Sequence, residues 1–268
     1  MSSQGGASLT KAIIVAAGRG RRLGASTDGL PKCMVEVGGK PILHWQLEAL
    51  SQVGVRDVVI VRGYLGDKIH PGRFPVRFID NPAWAENNIL ASLMCASSEL
   101  GSGCFFSYCD IVYAQSAVAR LAAVAGTAHG SLVVDRRWAD TYAGRTLHPV
   151  AEAELVSLDA ANSLRQLGKG AVPPSEAAGE FIGLAHFSPE GGQAIAQIWR
   201  AALAGGGLAS PFGRAKTLAQ AYLTDALNVM IADGKLLVPV LIDGGWREID
   251  TGQDLARAAL AMTAWAAG

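Results

Sequence analysis

KAIIVAAGRGRRLGASTDGLPK, residues 11–32, is a short apolar run that breaks into a basic loop punctuated by glycine. The uninterrupted apolar run from Ala12 to Ala17 predicts a buried β-strand. Gly18 and Gly20 end it, and the loop that follows carries Arg19, Arg21 and Arg22. Glycine lets the backbone turn tightly and bring its N–H groups close to an anion, while arginine pairs with phosphate oxygens in bidentate fashion. Pro31 closes the stretch, and Lys32 adds a point charge. A polyphosphate suits such a loop better than a single carboxylate.

Two better-known phosphate loops do not fit. A dinucleotide fingerprint needs a small third residue for close helix packing, and here Leu23 stands in that place. A Walker loop needs GK followed by Ser or Thr, whereas Gly38, Gly39 and Lys40 are followed by Pro41. A plain structural turn leaves three arginines within four residues unexplained.

The chain of 268 residues, half of them hydrophobic, suffices for one well-buried α/β domain with a subregion attached. Its 23 basic residues balance 23 acidic ones, so no global field draws it to nucleic acid or an anionic membrane. No apolar run reaches the roughly 18 residues of a membrane span, and a cytoplasmic protein is expected. Cys33, Cys95, Cys104 and Cys109 show no metal-ligand spacing with the histidines and read as reduced thiols. Residues 1–10, rich in Ser and Gly, read as a disordered leader. Beyond the loop, helical periodicity is expected over Ile42–Val53 and Ile89–Leu100, and buried strands over Asp57–Val61, Cys104–Tyr108 and Leu236–Ile242. Asp110 falls just past the carboxyl end of one such strand, the edge where open α/β sheets bind ligands, and is a candidate magnesium ligand. Trp138 and Tyr142 could hold a cationic head group against their rings, and Arg145 and Lys169 a phosphoryl group.

Ala16, Ala17, Gly18, Gly20, Arg22 and Leu23, followed after seven residues by Pro31 and Lys32, resemble the AAGxGxRL…PK signature of the nucleoside triphosphate transferase (sugar nucleotidyltransferase) superfamily. Within it the chain is most like the small cytidylyltransferases acting on phosphocholine, aminoethylphosphonate and inositol phosphate. The resemblance implies an α/β fold: a single Rossmann-like, glycosyltransferase-A-like three-layer domain over residues 11–268 with a mostly parallel mixed sheet. Residues 136–187 would be an inserted acceptor-binding lid and residues 251–267 a C-terminal helix.

The same resemblance assigns residues to roles. Ala16, Ala17, Gly18, Gly20 and Arg22 would cradle the triphosphate. Tyr64 lies in a GY-type turn that the family places near the nucleotide. The run containing Asn88 and Ser92 is similar to an NNIYSL-type stretch that holds base and ribose, whereas Asn87 reads as a helix N-cap. Glu180, in GEFIGL, would bind an acceptor hydroxyl or ammonium. Asp250, in the run WREIDTGQDL, would complete with Asp110 the site for Mg²⁺.

The implied reaction is transfer of CMP from CTP to a small phosphorylated alcohol or phosphonate, with release of pyrophosphate. Arg22 would bind the departing β and γ phosphates and Lys32 the α-phosphoryl oxygens. The alternatives are guanylyl or other nucleotidyl transfer to a cyclitol or sugar 1-phosphate, and a non-catalytic nucleotide-binding regulator. Nucleic acid and membrane partners are not expected, and a homodimer is left open.

Overall fold

A computed structural model describes residues 11–266; the expected leader, residues 1–10, lies outside them. β1 (Lys11–Ala16) runs into 3-10 turns, and β2 (Glu36–Val37) and β3 (Lys40–Pro41) form a small hairpin before α1 (Ile42–Gln52). There follow β4 (Asp57–Arg62), β5 (Val76–Asp80), α2 (Ile89–Cys95), β6 (Cys104–Tyr108), β7 (Ile111–Tyr113), α3 (Gln115–Val124) and β8 (Gly130–Asp135). The second half contains α4 (Trp138–Tyr142), β9 (Leu155–Leu158), β10 (Leu164–Leu167), β11 (Gly179–Phe187), α5 (Pro189–Gly206), α6 (Leu223–Ala232), β12 (Leu237–Ile242), β13 (Trp246–Glu248) and α7 (Gly252–Ala266).

One mixed sheet organises the molecule. β5, β4, β1 and β6 are parallel neighbours, and β11 joins β6 antiparallel. β8 pairs antiparallel with β11 and parallel with β12, while β9 and β10 extend from the first residues of β11. β1 is buried on both faces. Ile13 and Val15 enter a core with Leu90 and Leu93 of α2, Ile195 of α5 and Leu227 of α6. Ala12, Ile14 and Ala16 meet Leu43, Leu47 and Leu50 of α1 and Val118 and Leu121 of α3 on the other face. Each fully buried aliphatic side chain contributes about 1.5–3 kcal/mol, so the continuous apolar run of β1 makes this strand the spine of the three layers.

Leu23, which disfavours a dinucleotide fingerprint, packs with Val35, Val37, Ile42, Val112 and Ile249. It anchors the basic loop to the C-terminal segment.

Two elements differ from expectation. The helix expected over Ile89–Leu100 ends at Cys95 and continues as a 3-10 turn, Ser97–Ser102, since paired serines and nearby glycines favour turns over helix interiors. Gly179–Phe187, expected within the insertion, is instead the long buried strand at the centre of the sheet. Its apolar run Phe181–Ala185 faces core on both sides.

Candidate active site

The adjacent parallel strands β1 and β6 end on one edge of the sheet. β1 delivers the basic loop there, and β6 delivers Asp110. Buried Gln46 of α1 donates from its Nε2 to the carbonyls of Tyr108 and Ile111, both at 2.7 Å, and so fixes the turn that presents Asp110. β7 pairs antiparallel with β13, and the Ile249 N–H donates to the Asp110 carbonyl at 2.8 Å. The ribbon thereby brings Asp250, remote in sequence, beside Asp110.

Lys32 lies between the two carboxylates. Its Nζ donates to Asp110 Oδ2 at 2.7 Å and to Asp250 Oδ1, and Arg22 Nη2 donates to Asp250 Oδ2 at 2.6 Å. The Lys32 stem passes over Gly20, where an added Cβ would stand 2.9 Å from Lys32 Cδ and where φ is +68°. Glycine is therefore required at this position both for the backbone conformation and for the lysine's passage. The two halves of the sequence signature are one packed unit.

Burial disfavours the Lys32 ammonium, but the Asp110 and Asp250 carboxylates outweigh it and hold its pKa above the ordinary range. Burial likewise opposes ionisation of Asp250, and Lys32, His148 and Arg22 more than reverse this, holding its pKa well below the usual range. Glu248 shows the opposite balance: burial, then repulsion from Asp250 and Asp110, raises its pKa to about 7. Behind these groups Arg145 donates to Asp254 at 2.6 Å and to Glu248 at 3.0 Å. His148, fully buried, sets Nδ1 3.1 Å from Asp250.

The donor set fits a hard divalent cation. Asp110 Oδ1 is buried with no hydrogen-bond partner among the described residues, and Asp110 and Asp250, bridged by the Lys32 ammonium, both offer the oxygen atoms that magnesium prefers. Glu248 and His148 each place a ligand atom within 4.8 Å of one on Asp250.

A cleft of about 320 Å³ opens on this centre. Gly18, Gly20, Asn88, Ser92 and Glu180, singled out in the sequence, line it together with Trp84 and Asn87. Asn88 rather than Asn87 is the helix cap: its Oδ1 accepts from the Ile89 N–H at 2.9 Å. Asn87 instead joins a network with Asn81 and Ser92, in which Asn81 Nδ2 donates to Asn87 Oδ1 at 2.8 Å and to Ser92 Oγ at 2.9 Å. Ala16 and Ala17 are buried at the end of β1 and do not line the cleft. Tyr64 also lies outside the cleft wall; its hydroxyl donates to the carbonyls of Thr27 and Asp28, both at 3.2 Å, bracing the basic loop.

Trp138, Tyr142 and Arg145 do not line the cleft either. Trp138 and Tyr142 pack edge to face at 5.9 Å, and the Arg145 guanidinium lies 5.2 Å from the Tyr142 ring centre. Their ring faces are used by the protein itself. Tyr142 acts on the cleft indirectly, donating its hydroxyl to Glu180 Oε1 at 2.8 Å. Glu152, Glu154, Lys169 and Tyr222, by contrast, line the same side directly. Among these only Lys169 was suggested by the sequence, because the others acquire meaning only when β9 and α6 come together.

Comparisons with known proteins follow the same line. The family model of the MobA-like NTP transferase domain matches residues 12–177. The CTP:phosphoglutamine cytidylyltransferase of Campylobacter jejuni is 30% identical over 257 residues, covering 91% of this chain and 97% of that protein. The structure of the inositol-1-phosphate CTP transferase from T. maritima aligns with a TM-score of 0.71 at 20% identity, covering 97% of this chain and 98% of the other. The CTP:phosphocholine cytidylyltransferase from Streptococcus pneumoniae aligns with a TM-score of 0.67 at 20% identity, covering 94% and 99%.

Proposed function

The chain belongs to the MobA-like NTP transferase family, and from that membership we propose that it transfers CMP from CTP to a small phosphorylated alcohol or phosphonate, releasing pyrophosphate. The observation that carries this reading is the convergence of a basic triphosphate loop and two acidic side chains, Asp110 and Asp250, on one cleft. The C. jejuni relative, matched over nearly its whole length, is named for cytidylyl transfer.

Nucleotidyltransferases of this family commonly use a divalent metal, and Mg²⁺ is the ion we infer, held by Asp110 and Asp250. When bound it supplies positive charge to the triphosphate. The remaining work falls to the chain's own groups. Lys32, kept protonated by its two carboxylate partners, neutralises charge on the α-phosphoryl oxygens. Arg22, exposed at the cleft mouth, pairs with the β and γ phosphates that leave. The acceptor oxygen is already anionic at neutral pH, so it attacks the α-phosphorus in line without a general base. Asn81 and Asn87 pre-position Ser92 on the base and ribose side. Residues 136–178 form the acceptor side of the site, and the C-terminal helix supports Asp250 through Asp254.

Pyrophosphate release measured with each of the four ribonucleoside triphosphates tests the reading. Release with CTP and a phosphate or phosphonate acceptor, dependent on Mg²⁺, is the expected result. Preference for GTP with a cyclitol or sugar phosphate would overturn the choice of base.

A further inference from the structure

The chain supplies its own anions to Arg22, the residue assigned above to the phosphates that leave. Arg22 Nη2 donates to Asp250 Oδ2 at 2.6 Å, and Nη1 stands 3.5 Å from Glu152 Oε2 across the cleft mouth. Among the described residues these are the two carboxylates within 4.0 Å of the guanidinium. Asp250 is a metal ligand in the proposed reaction. Glu152 is therefore the one partner of Arg22 that the transfer itself does not use.

Glu152 is held in place from behind. It ends the 3-10 turn Val150–Glu152, and the next residue, Ala153, is buried in a cluster with Trp138, Tyr142, Leu155 and Val172. The backbone is fixed there, whereas the side chain is 35% exposed and able to move. Lys169 Nζ donates to Glu152 Oε2 at 3.0 Å and itself lies 4.8 Å from the Tyr222 ring centre. Burial opposes ionisation of Glu152, but Lys169 and then Arg22 outweigh it and hold its pKa below the ordinary carboxylate value. The group is an anion at neutral pH.

The strength of this contact suits a temporary one. An ion pair between partly exposed side chains at 3.5 Å is weak. A polyphosphate, with several charged acceptor oxygens, outcompetes it for the guanidinium. The carboxylate is nevertheless tethered beside Arg22, so it returns at high effective concentration whenever the phosphates let go.

We propose that Glu152 is an internal competitor for pyrophosphate: it retakes Arg22 as the β and γ phosphates leave and so promotes product release. Glu152 acts through Arg22 and is a positioning residue. Ligands that carry β or γ phosphates must displace it, whereas a nucleoside monophosphate does not reach Arg22 and is indifferent to it. This rests on the cytidylyl-transfer reading and adds a release step to it.

The test is calorimetry at fixed Mg²⁺ with pyrophosphate, CTP and CMP, comparing wild type with Glu152→Gln, which keeps the side chain's size and removes its charge. Pyrophosphate and CTP should bind about fivefold or more tighter to the variant, with CMP affinity unchanged. Product inhibition by pyrophosphate should strengthen by the same factor. With Arg22→Met already in place, Glu152→Gln should leave pyrophosphate affinity as it was, since the two residues act as one unit. Unchanged or weaker pyrophosphate binding in Glu152→Gln overturns the proposal, as does equal tightening of CMP or tightening that persists without Arg22; each leaves cytidylyl transfer standing. If the wild-type chain binds neither CTP nor pyrophosphate, the proposal and the transfer reading fall together.

Discussion

The N–H of Ile249 donates to the carbonyl of Asp110 at 2.8 Å, and through that bond the turn after β6 and the segment after β13 become one site. The two acidic residues expected to hold the metal are thus set by backbone pairing rather than by their own side chains. Lys32 then enters between them, guided by the close passage over Gly20.

Lys32→Met removes the cation between two carboxylates. Breaking a buried ion pair in this way costs about 3–5 kcal/mol. Thermal denaturation should show a large fall in Tm in the presence of a chelator and partial recovery in millimolar Mg²⁺, with turnover lowered about a hundredfold or more. Equal Tm values for variant and wild type in chelator would contradict the bridging role.

Arg145→Met tests a residue that the sequence suggests as a phosphoryl binder and that the structure places behind the cleft, on Asp254 and Glu248. The variant should lose about 3 kcal/mol or more of stability and lower kcat, with the acceptor KM little changed. A selective rise in acceptor KM with normal stability would restore the direct-binding role.

How much of this was legible follows from how local each signal is. The strand and loop of residues 11–32 carry their own reading, because a buried run followed by glycines and arginines has few other physical solutions. The cleft position of Asp110 was legible from its place at a strand end, and that of Asp250 through the motif around it. The cleft positions of Glu154 and Tyr222 were not, since each is ordinary in its own segment and reaches the cleft only through the fold. Trp138 and Tyr142 were misleading for the same reason: composition shows two aromatics near one another but not that their faces are covered. β11 was hidden inside a region of charged and turn residues, although the apolar run Phe181–Ala185 within its nine buried residues is explained better by a central strand than by a lid.

Gly183 sits where β11 passes from β6 to β9, with φ +85°, and an added Cβ would approach Tyr108 Cδ2 to 2.3 Å. Gly183→Ala should therefore destabilise the fold by about 2 kcal/mol or more. By pushing the Tyr108 ring it should also disturb the hydrogen bond to Glu154 and raise the acceptor KM. Unchanged Tm and KM would show that the strand accommodates a methyl group here.

His186 is buried against the Phe105 ring at 5.1 Å, and its Nδ1 has no partner among the described residues. Burial lowers its pKa from 6.5 to about 4. The folded protein thus keeps the imidazole neutral where the unfolded chain would protonate it. This contribution is complete above pH 6.5 and is lost as pH falls toward 4, amounting to about 3 kcal/mol. Urea denaturation of wild type and His186→Phe across that range should give curves that converge at high pH and separate at low pH, the variant being relatively more stable in acid. Parallel curves would contradict the assignment.

The most direct test of the central claim is the ³¹P NMR spectrum of CTP, Mg²⁺ and 2-aminoethylphosphonate incubated with the protein. Loss of the triphosphate signals, appearance of free pyrophosphate and a new coupled pair joining the α-phosphorus to the phosphonate are expected, all abolished by Asp110→Asn. Formation of CDP and inorganic phosphate, or full product formation by Asp110→Asn, would contradict it.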